Sequence, residues 1–209
     1  MTPDRIKTLQ NRIKIISNEI SDIYYKEQIF QQRTKPSFLI NADGHVVNSV
    51  TANHYSAVLS AIRRQLGQRD DEISLVNVLR TLESHSEEVT ETWYVAEWLQ
   101  DSELIATSTD EFVKEFVKTI PYGEFQEYFG KQGFLDRRWV SEDIELLFEN
   151  TRKIRSFVNK TIAHTGMTKP ESIDEADYTL ALETLNNLAK KYVLLLTQVG
   201  LELKPVIQD

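Results

Sequence analysis

The chain has 209 residues, of which 41% are hydrophobic and 27% charged, the size and balance of a globular protein able to bury a core. Its 32 acidic residues against 24 Lys and Arg leave a net charge of −8, which excludes general adhesion to nucleic acid or anionic membrane and makes any phosphate-binding site a local exception. The absence of cysteine further excludes disulfide frameworks, cysteine nucleophiles and thiolate metal sites.

The first residues, MTPDRIKTLQNRIKII, mix charges into their apolar positions, so they form no secretory apolar core. No apolar run approaches the roughly 18 to 20 residues that span a bilayer, and the expectation is a soluble cytoplasmic protein with no membrane partner. Thr2-Pro3-Asp4 combines a capping residue, a proline at the first helical position and an early acid. Ile6, Leu9, Ile13, Ile16, Ile20 and Ile23 then recur at steps of three and four, predicting a long amphipathic helix. It fades at Arg33-Thr34-Lys35-Pro36. Residues 36–48, PSFLINADGHVVN, hold a proline, an Asp-Gly pair and short β-prone runs, and read as a loop with room for a small hairpin.

A second helix is predicted from Ser49 to Leu66, with Tyr55, Val58, Leu59, Ile62 and Leu66 on one side and Gly67 ending it. Ser74 starts a third, whose face is Leu75, Val78, Leu79 and Leu82. EEVTETWYVAEWL predicts a fourth, anchored by Trp93, Trp98 and Leu99, with core or dimer packing as the simplest role for the tryptophans. Thr109-Asp110-Glu111 starts a fifth, with Phe112, Phe116 and Val117 inward and Pro121 and Gly123 as its stop.

Residues 121–140 read as a turn or short helix. Ser141-Glu142-Asp143 is the predicted start of a helix running to His164 and carrying Ile144, Leu147, Phe148, Ile154, Val158 and Ile162. Ser172 to Glu175 has capping-box spacing and opens a last helix through Leu182, Leu185, Leu188, Val193 and Leu196. The expected architecture is an all-α helical bundle whose last two long helices are antiparallel across about seven residues. It forms a single domain over 1–209, with an N-terminal helix and loop over 1–48 and the bundle core over 49–200.

The segment RSFVNKTIAHTG at 155–166 is the one candidate site. Between Asn150 and Pro170 stand Arg152, Lys153, Arg155, Lys160 and Lys169, with no acidic residue. Cations gather near helix C-termini because they offset the negative end of the macrodipole, and His164 fits that account too. On an ideal helix, however, Lys153, Phe157, Lys160 and His164 share one face while Arg152, Arg155 and Asn159 share the next. Basic groups beside a histidine can bind a phosphate and move a proton. His45 reads as a turn residue, and His54 and His85 lack a partner at metal-ligand spacing. No metal or cofactor is expected. Arg63-Arg64 and Arg69 suit solvation or ion pairing, with the cleft of His164 as the other possibility.

The phrase NKTIAHTG near the end of the penultimate helix, followed by AKKYVLLL in the last, resembles the HEPN superfamily, most closely the abortive-infection proteins of the AbiU type. YSAVLSAIRRQLGQRDDEISLVNVLRTL at 55–82 is similar to that branch's arginine-bearing helix, polar turn and Ser-Leu helix start, and the resemblance covers residues 3 to 200. It implies an all-α fold, a homodimer with the motif helices at a shared cleft, and, in active members, a metal-independent endoribonuclease of a defence or toxin-antitoxin system, with RNA and an antitoxin protein as partners. Asn159 and His164 match the motif. The arginine that directly precedes the asparagine is Val158 here, on the apolar stripe with Ile154 and Ile162. The resemblance then gives His164 the acid/base role and Asn159 an orienting one, and leaves Arg155 or Lys160 to supply the charge. The alternative is a catalytically degenerate module that binds RNA or a partner protein without cleaving, and a third reading is an unrelated helical interaction protein.

Overall fold

The computed structural model describes residues 1–33, 44–69, 71–100, 107, 109–162 and 173–200. Among them are eight α-helices: α1 (Pro3–Arg33), α2 (Gly44–Arg64), α3 (Leu75–Ser84), α4 (Glu91–Gln100), α5 (Glu111–Tyr128), α6 (Arg137–Asn150), α7 (Arg152–Phe157) and α8 (Glu175–Thr197). A short 3₁₀ turn at Ser86–Glu88 precedes α4, and a π-turn at Val158–Ile162 continues α7. No described residue belongs to a strand, apart from one isolated bridge between Thr90 and Phe134. The fold is an all-α bundle.

The centre of that bundle is α8, because its apolar residues surround the helix instead of forming one stripe. Leu182, Leu185, Leu188, Tyr192 and Leu196 are buried together with Ala181, Ala189 and Val193, a pattern that requires neighbours on several sides. On one side lies α1, which buries Leu9, Ile13, Ile16, Ile20 and Ile23. Gln10 Nε2 donates to Leu196 O at 2.9 Å and Tyr24 OH to Leu182 O at 2.9 Å, so the two helices run antiparallel. On another side lies α6, where Lys191 Nζ and Tyr192 OH meet Asp143 Oδ2 at 2.6 and 2.7 Å and Asn150 Nδ2 meets Thr184 Oγ1 at 2.9 Å. The expected antiparallel pair of C-terminal helices is therefore present. The connection at 163–172 lies outside the described residues.

Several boundaries differ from the sequence expectation. α2 begins at Gly44, so residues 44–48, His45 included, are helical where a loop was expected, while 36–43 lie outside the described residues. The β-branched Val46 and Val47 cost a helix only a few tenths of a kcal/mol each, and one further turn of hydrogen bonds outweighs that. α5 runs through Pro121 and Gly123 to Tyr128 instead of stopping there. A proline inside a helix costs about 3 kcal/mol, but the extension buries Phe125 and leads into Phe129, both packed on Tyr94, and each buried aromatic contributes about 1.5–3 kcal/mol.

Phe112 and Phe116 point outward, 78% and 61% exposed, and of the three residues expected inside only Val117 is buried. In α4 the fully buried anchor is Tyr94, while Trp93 and Trp98 pack partly exposed against the core. α6 starts earlier than Ser141 because Asp136 caps it, accepting from Arg138 N at 2.9 Å. The preceding turn is closed by Asp136 N to Phe129 O at 2.7 Å and contains Gly133 at φ 81°, a conformation glycine adopts without strain. α8 is capped two residues later than expected, by a capping box of Asp174 and Asp177.

Candidate functional site

The helix that carries the motif is not continuous. Thr151 is fully buried and turns its hydroxyl back onto Leu147 O at 2.5 Å, a backbone contact that commonly bends a helix. Six residues of α7 follow, and then the π-turn of Val158–Ile162. A π-turn advances each residue by a smaller angle than an α-helix does, so the two predicted faces do not persist beyond Phe157.

Val158 is 5% exposed and belongs to the core. Asn159 and Lys160 are exposed. Arg155, expected as a source of charge, lies over the ring of Phe148 at 5.1 Å, so it is engaged with the end of α6 across the break at Thr151. Lys153 pairs with Asp177 at 2.8 Å, which removes its charge from the basic stretch. His164 lies outside the described residues, as does Lys169.

The cation bonded to Asn159 comes from elsewhere. Arg63, in the last turn of α2, donates through Nε to Asn159 Oδ1 at 3.1 Å. Its neighbours in sequence are occupied otherwise: Arg64 with Glu19, and Arg69 with Glu72 at 2.9 Å. Among the described residues Arg63 has no ion-pair partner within 4.0 Å, although Glu72 is near enough to feel its charge. An arginine bonded through Nε still carries two terminal nitrogens, whose planar donor geometry suits paired phosphate oxygens.

A second polar cluster was not anticipated. Glu27 of α1 is 9% exposed and accepts three hydrogen bonds, from Gln31 Nε2 at 2.9 Å, from His54 Nε2 at 2.8 Å and from the hydroxyl of Tyr178. Burial pushes its carboxyl up, but the three donors outweigh it and hold the group below the usual range. The Tyr178 hydroxyl is driven far above the phenol range, chiefly by burial and then by Glu27. His54 stacks flat on Phe30 at 4.0 Å, and Tyr55 meets the edge of Tyr178 at 5.5 Å. Phe30, Tyr55 and Tyr178 border a cavity of about 1040 Å³ between α1, α2, the end of α7 and the start of α8. Glu27 and Tyr178 reach its wall, whereas His54 stands behind Glu27 and does not line it.

A signal for this cluster is visible in retrospect. Glu27 continues the stripe Ile13, Ile16, Ile20, Ile23 at the same three- and four-residue steps, and His54 precedes Val58 and Ile62 at steps of four. A carboxylate and an imidazole at two core-facing positions are expected to be each other's partner.

No group of His, Asp and Glu among the described residues could hold a metal ion, and no described helix is long and apolar enough to cross a membrane. No protein-family model, curated protein or solved structure matches the chain.

Proposed function

We propose that the chain is a HEPN-like protein of a prokaryotic defence or toxin-antitoxin system, acting in the cytoplasm as a metal-independent endoribonuclease, with Arg63 in the role of the stabilising cation. The observation that carries this reading is the Arg63–Asn159 hydrogen bond, 3.1 Å across two helices. It joins the two stretches on which the HEPN resemblance rests, the arginine-bearing helix at 55–82 and the motif at 155–166. His164 exchanges the proton of the ribose 2′-hydroxyl or the leaving oxygen. Asn159 is oriented by Arg63, and the Arg63 guanidinium offsets the charge that gathers on the phosphorane. The active form is a homodimer, and an antitoxin protein restrains it.

The test uses purified protein with structured and unstructured RNA in excess EDTA. Chelator-resistant cleavage is expected, reduced about 10²- to 10⁴-fold by His164→Ala and about 10²- to 10³-fold by Arg63→Ala. Cleavage that survives both changes, or that never occurs, overturns the enzymatic reading.

The burial of Val158 favours a second reading, in which the chain binds RNA or a partner protein without cutting. RNA retained by the wild-type chain, not cleaved, and released by Arg63→Ala is its signature.

A further inference from the structure

The cavity beside α8 has the opposite electrostatic character to the Arg63–Asn159 site. Its aromatic walls come from Phe30, Tyr55, Phe157 and Tyr178, and every charged residue among its described lining is acidic, Glu175 and Glu183 at the open side included. Carboxylates and rings are close enough to influence one another: Glu183 adds to the burial that raises the Tyr24 hydroxyl to about 12, and Glu27 and Glu175 both act on Tyr55. Aromatic faces together with carboxylates attract cations and repel phosphate.

We propose that this cavity binds a small organic polycation, a linear polyamine, independently of the RNA site. Charge complementarity selects a cation. The apolar rings select one with an alkyl chain rather than a hydrated metal ion, since alkylammonium groups lie favourably on aromatic faces. The spacing selects more than one charge. Glu175 and Glu183 lie on the same helix eight residues apart, about 12 Å along its axis, with Tyr178 and Leu182 between them. An extended polyamine can place an ammonium at each carboxylate and its methylenes over the rings, whereas a single ammonium reaches only one. Glu27 does not serve as an anchor, because its three hydrogen bonds already engage both oxygens.

The experiment is isothermal titration calorimetry of the full chain with spermidine, with a neutral diol of similar length as control. Saturable binding of spermidine and none of the diol is expected. The double variant Glu175→Gln, Glu183→Gln, both positions being exposed, weakens it by about tenfold. Tyr55→Leu weakens it as well. Glu145→Gln with Glu149→Gln removes the same charge from the exposed face of α6 and leaves the affinity unchanged. Absence of heat at millimolar spermidine, equal loss in the α6 variant, or binding of a tetralysine peptide in place of spermidine would each overturn the proposal.

Discussion

At the scale of single residues, Glu27 sets a pH dependence whose sign follows from its surroundings. Its carboxyl titrates below its unfolded value of about 4.3. The stability it contributes is therefore complete above that value and is lost as pH falls through the lower, folded one. Urea unfolding of Glu27→Gln is expected to show lower stability than wild type at neutral pH, with the difference shrinking as pH falls below the usual carboxylate range and the wild-type carboxyl protonates. Tyr178→Phe keeps the ring and removes one donor from a buried carboxylate, at a cost of about 1–3 kcal/mol in the same measurement. Val158 makes the opposite case. An arginine at that position restores the letter of the HEPN motif but places a guanidinium in a site only 5% exposed. Val158→Arg is expected to cost about 3 kcal/mol or more and to gain no cleavage in EDTA. A variant as stable as wild type would show that the side chain escapes the core.

At the scale of elements, helices were legible where burial and local chemistry agreed. Leu9, Ile13, Ile16, Ile20 and Ile23 of the α1 stripe and the face Leu75, Val78, Leu79 and Leu82 of α3 are core because their spacing leaves them no other place, while Ile6, at the start of the stripe, is only partly buried. Ser74 was legible as a cap for a similar reason. It accepts from Asn77 N at 3.2 Å and also donates to Gly67 O at 2.7 Å, tying the start of α3 to the turn after α2. Ser74→Ala is therefore expected to cost about 2–3 kcal/mol in denaturant unfolding, more than the roughly 1 kcal/mol of an ordinary cap, because it also strands a buried carbonyl. Boundaries set by distant contacts were not legible. Pro121 reads as a stop until Phe125 and Phe129 are seen against Tyr94, more than 25 residues earlier. The site divides in the same way. Asn159, Arg155 and Lys160 were found as one local phrase, yet the partner of Asn159 is 96 residues away and, of the three partners of Glu27, His54 and Tyr178 are 27 and 151 residues away. Arg155 and Phe148 meet across the break between α6 and α7, which no count of basic residues reveals.

At the scale of the whole molecule, the misplaced aromatics of α5 bear on the proposed homodimer. Phe112, Phe116 and Ile120 follow one another at steps of four and are 78%, 61% and 41% exposed, a continuous apolar row on the outside of the bundle. Ion pairs of both signs flank it, Glu111 with Lys114 at 2.9 Å and Glu115 with Lys118 at 2.6 Å. A face that carries both charges beside an apolar row can meet its own copy about a two-fold axis without opposing like charges. Burying two phenylalanines contributes about 1.5–3 kcal/mol each. Because a two-fold axis brings the same pair from each copy, Phe112→Ser with Phe116→Ser removes four rings from the interface and should raise the dimer dissociation constant by at least about four orders of magnitude. Sedimentation equilibrium is expected to show a dimer for the wild-type chain and a monomer for the double variant, with the helical circular dichroism of both the same. A wild-type monomer would remove the dimer from the functional proposal. A double variant that stays dimeric would move the interface off α5. If the variant is monomeric and RNA cleavage falls with the dimer population, the site requires both copies; cleavage at the wild-type rate would place a complete site in one chain, with Arg63 and Asn159 already side by side.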